Sequence, residues 1–342
     1  MSSLPYLDIV GQVALVGMVV TMLTNSFFIY VTIRHIKNIK GPYKFLVLLL
    51  TVLGMVFAVM EIFIHPFFHS FNASFVYFSI SPMFGLPKAL KTALVLIYSE
   101  IYLLIICVIA IQFVYRNFVI CNSKYIRYFS GWKIVWWIAY LTACLALWTA
   151  SARLCLPNEF SIGYLDKEMM TQYGTNSSEV AGFYVVAWKT AGGVSKLQIW
   201  SVICTVGMAS TLVFQYLIIF YSGFKIHSKI RESIETTSTK NYKIHTQLFK
   251  TLVFQISAPS LFYHAPAFIM YIVPYCNVQI SFPSGIMVCF FSAYPAIDTV
   301  ILMIMVKEYH RVLKKMLGTK FSASWRWTSS VTVTRITTEA TT

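Results

Sequence analysis

Apolar residues gather into seven stretches, 9–33, 45–64, 92–114, 134–152, 198–222, 251–273 and 284–306, and the segments between them hold nearly all of the charge. A bilayer core about 30 Å thick takes about 20 helical residues, and inside it only a helix or a closed barrel satisfies every backbone amide. None of the seven contains a Lys or Arg. The pattern predicts seven transmembrane helices. The first stretch is longer than a signal peptide's apolar part and follows a leader whose only charge is Asp8, so it is expected to stay as a span. After the seventh, Tyr309, Val312, Leu313, Met316 and Leu317 fall at helical spacing opposite Lys307, Arg311, Lys314 and Lys315. That spacing predicts an amphipathic helix over 307–317, lying at the membrane surface. The expected fold is an all-α integral membrane bundle of seven transmembrane helices. Residues 1–317 form one domain, and 318–342 form a disordered, Ser/Thr-rich cytoplasmic tail, either merely solvated or phosphorylated.

Composition narrows the class. A 58% hydrophobic share, 11% charged residues and a mean hydropathy of +0.69 exclude a water-soluble fold. A net charge of +15 would suggest nucleic acid in a soluble chain, but these charges sit between apolar runs, so no nucleic-acid partner is expected. Of the 27 Lys and Arg, 21 follow spans one, three, five and seven. Basic loops stay cytoplasmic, which predicts an outer N-terminus, an inner C-terminus and a cationic face on membrane lipid. Two glycosylation sequons, at Asn72 and Asn176, both fall in loops that this rule places outside. The outer segment 153–197 reads as one long loop containing Gly192-Gly193. The inner segment 223–250 reads as two helix extensions joined by a flexible link at Thr236 to Thr239.

Ionisable residues inside spans are expensive and therefore informative. There are three, Glu61, Glu100 and Asp298. Glu100 lies about 12 Å below the outer surface at 1.5 Å per residue, a depth that suits either a ligand cavity or a hydrogen-bonded buried carboxyl. Glu61, just before His65-Pro66, suits a helix-end role. Asp298 follows Pro295 by three residues, and Asn25 is its natural polar partner if the first and seventh helices touch. Pro259 and Pro266 in span six and Pro295 in span seven mark static kinks or, in a switching protein, hinges. His65 and His69 have the i, i+4 spacing of helical metal ligands, but Pro66 argues against a site, and no metal or cofactor is expected. Cys155 and Cys276 both face the oxidising side, where a disulfide between outer loops is open to them at a distance the sequence does not set. Cys121, in an inner loop, is either a free thiol or a palmitoylation site.

Several motifs together resemble one family. Gly41-Pro42-Tyr43-Lys44, Glu61 through His65-Pro66, and Phe113-Val114-Tyr115-Arg116-Asn117-Phe118 are similar to segments of the Str/Srj-type nematode seven-helix chemoreceptors. So are Gln247-Leu248-Phe249-Lys250-Thr251-Leu252 and Tyr294-Pro295-Ala296-Ile297-Asp298, so the likeness runs from about residue 41 to 317. It implies an olfactory receptor in sensory cilia of the plasma membrane that binds a small-molecule odorant and acts through a heterotrimeric G protein. The expected ligand pocket is an aromatic cavity in the outer half, with Tyr98, Glu100, Tyr102 and His264 as candidates. Tyr115, Arg116 and Asn117, with Lys225, Lys229 and Lys250, are the candidates for contact with the G protein, and bending at Pro259, Pro266 or Pro295 beside Asp298 is the expected switch. The rhodopsin-type disulfide lacks its cysteine at the outer end of span three, and no span holds a lysine for a retinal Schiff base. Homo- or hetero-dimerisation is left open. Among rival classes, an odorant-gated channel keeps its N-terminus inside, against the charge count. A transporter would show repeated halves, which are absent. A metal-dependent hydrolase would need convergent ligands, and no enzymatic chemistry is expected.

Overall fold

The computed structural model describes residues 5–36, 41–191, 194–234, 240–276, 278, 281–283 and 285–317. The Thr236 to Thr239 link, Gly192-Gly193 and the 318–342 tail lie outside them. Six described helices are long and apolar enough to cross a membrane. They belong to α1 (Pro5–Arg34), α2 (Pro42–Ile64), α3 (Lys88–Cys121), α4 (Ile134–Arg153), α6 (Ile199–Ile234) and α9 (Gly285–Met305). The short α5 (Glu159–Tyr173) lies between α4 and α6 in sequence. The remaining crossing is split. An α-helix, α7 (Lys240–Pro259), passes into a π-helical turn over Ser260–His264 and resumes as α8 (Ala265–Ile272). The span expected over 251–273, with its kinks at Pro259 and Pro266, is thus broken between those two prolines. Two prolines seven residues apart each withhold an amide, and the chain absorbs both losses in one widened turn. A last helix, α10 (Lys307–Leu317), follows α9 and is tied down by Tyr309, which stacks on Phe28 at 4.9 Å and shares a 3.0 Å hydrogen bond with Thr32.

Small residues let α9 approach its neighbours. A Cβ on Gly17 would stand 2.8 Å from the Ser292 carbonyl oxygen, and one on Gly54 would stand 2.9 Å from the Pro295 ring. In lipid, where apolar burial does not drive helices together, such close backbone approach supplies the packing.

One end of the bundle carries a four-stranded antiparallel sheet that the sequence reading took for loops. It comprises β1 (Pro66–Phe71), β2 (Ser74–Ser79), β3 (Ala181–Val186) and β6 (Ser281–Pro283), ordered β3-β2-β1-β6. A separate hairpin pairs β4 (Trp188–Ala191) with β5 (Val194–Leu197). The segment 153–197, expected as one long loop, holds α5 and three strands. Alternation explains the main sheet: Phe75, Tyr77, Phe183 and Val185 face the bundle core, while Val76, Phe78 and Tyr184 face Leu165, Met169 and Tyr173 of α5. Both faces are buried, so these strands read as continuous apolar runs, and the period of two is hidden. Asn158 caps α5 through a reciprocal capping box with Ser161, and Gly174 ends it in the left-handed conformation, φ 65°.

The two histidines expected at helical spacing fall on different elements. His65 closes α2 at φ 45°, and His69 lies in β1, so the i, i+4 geometry of a metal pair is not formed. The disulfide left open between Cys155 and Cys276 is not formed either: both thiols are free, Cys276 is exposed, and buried Cys155 points at α6, 3.9 Å from the Ser201 hydroxyl.

Candidate functional site

Beneath the sheet lies a narrow cavity of about 30 Å³. The sheet forms its roof through Phe68, Tyr77 and Phe183, one residue from each of three strands. Its walls come from Phe57 of α2, Tyr98, Ser99 and Tyr102 of α3, and Trp148 of α4. Met208 and Leu212 of α6, Tyr271 of α8 and Phe291 of α9 close the circle. Aromatic contacts stiffen it: Phe57 stacks on Tyr98 at 4.5 Å, Phe68 on Phe291 at 5.7 Å, and Tyr102 meets Phe291 edge-on at 5.7 Å. A second, smaller space of about 10 Å³ shares Phe57, Tyr102 and Phe291 and lies toward Pro259, His264 and Tyr294. The two spaces adjoin across these shared side chains, one under the roof and one beside the π turn.

Three of the four ligand candidates, Tyr98, Tyr102 and His264, line this space, and Glu100 does not. Tyr98 and Tyr102 are one turn apart on one face of α3, whereas two residues rotate a helix by about 200°, which turns Glu100 away. Its carboxylate accepts a hydrogen bond from Thr149 of α4 and joins two helices. Depth was legible in the sequence and azimuth was not. Phe57, Trp148, Phe291 and the roof join the wall without having been singled out by the sequence. An aromatic run on each side of Asn72-Ala73 was the available signal for a roof hairpin.

The π turn is braced from α6, where Tyr216 shares a 2.7 Å hydrogen bond with the Ser260 hydroxyl and another with His264 Nδ1. Deeper still, a buried polar band joins four helices. Gln255 of α7 donates to Asp298 of α9 at 3.0 Å, Asn25 of α1 donates to the Thr51 carbonyl of α2 at 3.2 Å, and Thr299 donates to Asn25 at 2.6 Å. The expected Asn25–Asp298 pair is corrected by one residue. Asn25 meets Thr299, and Asp298, about 100° around α9, faces α7 instead. Glu61, expected at a helix end, lies within the last turn of α2 and accepts a 2.5 Å hydrogen bond from Ser292.

Residues 11–314 match the family model of the serpentine type 7TM GPCR chemoreceptor Str. The chain belongs to that family. The G-protein coupled receptor str-33 of Caenorhabditis elegans is 37% identical over 90% of this chain and 91% of its own length. Serpentine receptor class r-10 of the same nematode is 22% identical over 93% of each. Among solved structures, squid rhodopsin superposes with a TM-score of 0.54 at 12% identity, covering 93% of this chain and 87% of that one. That likeness concerns the seven-helix fold alone. The protein is a multi-pass G-protein-coupled chemosensory receptor, a class whose partners are a small-molecule ligand and a G protein.

At the end of the receptor away from the sheet, the candidate coupling residues divide into two sets. Lys225 and Lys250 are exposed, and Lys229 pairs with Glu232 at 2.9 Å. Arg116 is not at the surface. It is 2% exposed, with its guanidinium carbon 3.5 Å from the centre of the Tyr43 ring. Tyr115 stacks on Tyr43 at 6.0 Å and meets Phe129 edge-on at 5.0 Å, and Asn117 is buried. In this conformation an aromatic ring covers Arg116. Cys121 is half-buried, its thiol 3.7 Å from the Lys225 carbonyl.

At the sheet end, Asn72 stands at the β1–β2 turn with φ 47°, and Asn176 lies between α5 and β3. His69, fully buried, meets Glu168 of α5 at 3.1 Å through Nε2 and Tyr173 of α5 at 3.1 Å through Nδ1. Ser281 of β6 donates to the same Glu168 oxygen at 2.6 Å. Burial holds the His69 imidazole below its usual value against the opposing pull of the Glu168 carboxylate.

Proposed function

We propose that the receptor is an olfactory one, which binds a small-molecule odorant in the roofed cavity and passes the signal to a heterotrimeric G protein at the basic end. The observation that carries this reading is the pair of adjoining aromatic spaces, one under the roof and one beside the π turn between Pro259 and Pro266. A ligand there favours the packing it fits better, and a widened turn flanked by prolines is where α7 swings with little loss of backbone bonding. Movement of α7, with the α9 hinge at Pro295, would uncover Arg116. Lys225, Lys229 and Lys250 would then meet the partner's surface.

The charge asymmetry supports an outer N-terminus and an inner C-terminus, with the sheet outside and the cationic end on acidic lipid. Asn72 and Asn176, both at the sheet end, would then carry glycans, and the membrane would be that of sensory cilia. A screen of volatile compounds in cells carrying the receptor and a G-protein reporter tests the proposal. The expected result is a response to a subset of compounds that disappears in Arg116→Ala while surface delivery stays unchanged. Ligand-gated current in cells stripped of G protein would overturn it.

A further inference from the structure

We infer that Cys155 and Cys204, two thiols in this structure, are a site of disulfide formation that fastens the roof to α6. The inference rests on the orientation proposed above, which puts the sheet end on the oxidising side, where disulfides form and persist. Cys155 lies just past the end of α4, and its carbonyl accepts a 2.7 Å hydrogen bond from the Tyr184 amide of β3. Its thiol reaches the first turn of α6, 3.8 Å from the Trp200 carbonyl oxygen and 3.9 Å from the Ser201 hydroxyl. Helical side chains lean toward the N-terminus of their helix, so the thiol of Cys204 covers this same turn. The two sulfurs, both buried, share a hydrogen bond.

Backbone packing holds the pair together. One turn deeper, a Cβ on Gly207 would stand 3.0 Å from the Ser151 Cβ, so α4 and α6 approach closely there. Successive spans run antiparallel, and Ser151 opposite Gly207 sets Cys155 opposite Cys204. Where backbones are this near, rotation about the Cα–Cβ bonds closes a sulfur–sulfur bond of about 2.0 Å. Hydrogen bonds from Cys204 and Ser201 hold the Cys155 thiol below its usual value against the effect of burial, which favours the attacking thiolate. The oxidant is a protein disulfide, met while the outer loop is still open. The Cys155 thiolate attacks one of its sulfurs and expels the other as a thiolate, and deprotonated Cys204 then attacks the Cys155 sulfur and expels the second. Two S–H bonds are lost, one S–S bond forms, and the oxidant leaves as a dithiol with both protons and both electrons. The closed loop of about 50 residues carries α5 and β3, so the bond anchors the β3 edge of the roof. Cys107 of α3 and Cys144 of α4 also touch, but both lie mid-span, where a protein oxidant does not reach, and they stay thiols.

The test uses the full-length receptor from animal cells, denatured in N-ethylmaleimide without reductant, digested, and read by mass spectrometry. Expected is a peptide linked through Cys155 and Cys204 that vanishes on reduction, with Cys107, Cys144 and Cys276 alkylated. In lipid nanodiscs, reduction of the wild type should lower the thermal midpoint by about 5–10 °C. The double variant Cys155→Ser, Cys204→Ser should start at the lower midpoint and ignore the reductant. Alkylation of both cysteines, or linkage of Cys155 to Cys276, in a receptor that glycosidase shows to carry glycans would overturn the disulfide and leave the orientation standing. Alkylation of both in a receptor without glycans, with a C-terminal epitope stained on intact cells, would overturn the orientation and the disulfide with it. A linked peptide whose reduction leaves the midpoint unchanged would overturn the fastening of the roof.

Discussion

Tyr43 covers the Arg116 guanidinium at 3.5 Å, and under the proposed coupling this stacked cation is the residue-scale feature that would hold the basic end shut. A desolvated cation–aromatic contact is worth on the order of 1 kcal/mol or more, which biases a two-state equilibrium about fivefold. Tyr43→Ala is expected to raise ligand-free signalling by about that factor, measured as basal reporter output per receptor at the cell surface. An unchanged basal level would show that the ring does not restrain Arg116. Sequence indicated which residues bear polarity at what depth, because spacing along a span gives height directly. Facing was harder. Tyr98 and Tyr102 reached the cavity while Glu100, between them, was turned to α4, and Asn25 met Thr299 rather than its neighbour Asp298. In a bundle whose lipid-facing and inward-facing sides are both apolar, no amphipathic stripe reveals azimuth.

At the scale of elements, α9 depends on bare backbone opposite it. Gly17→Val would force a methyl-bearing carbon to within 2.8 Å of the Ser292 carbonyl, an overpacking that costs about 1–3 kcal/mol. Its thermal midpoint should fall and its surface delivery should drop. Gly163→Ala on α5, where nothing lies within 4 Å of an added carbon, should leave both unchanged. The seam between α5 and the sheet carries the pH dependence. Buried His69 resists protonation when docked against Glu168 and Tyr173, so the undocked state binds the proton more readily, and docking weakens as pH falls below about 6.5. The thermal midpoint should therefore decline from pH 7.5 to 5.5, and His69→Gln should flatten that decline. Partly buried His65, held low by the same cause, keeps a residual slope. A decline of equal steepness in the variant would move the effect elsewhere. The helices were legible because lipid enforces their length. The strands were missed because α5 and the bundle bury both faces of the sheet and erase its alternation.

The whole molecule has two chemically unlike ends, a neutral roof of paired strands with both sequons and an opposite face rich in Lys and Arg. If orientation follows charge, an epitope after residue 342 should be stained only in permeabilised cells. Glycosidase should shift the mobility of wild type but not of the Asn72→Gln, Asn176→Gln double variant. Staining of intact cells would invert the scheme. The strands Pro66–Phe71, Ser74–Ser79 and Ala181–Val186 come from two loops distant in sequence, yet they form one ladder above the cavity. A guest bound there, as proposed, would depart by the upper end only as often as several backbone bonds part together. Dwell time would then be set by the ceiling's opening frequency rather than by the fit of the room below. Two odorants of different affinity that leave by this route would outlast the stimulus to a similar degree, and the sensory cell would inherit its persistence from a patch of hydrogen-bonded backbone.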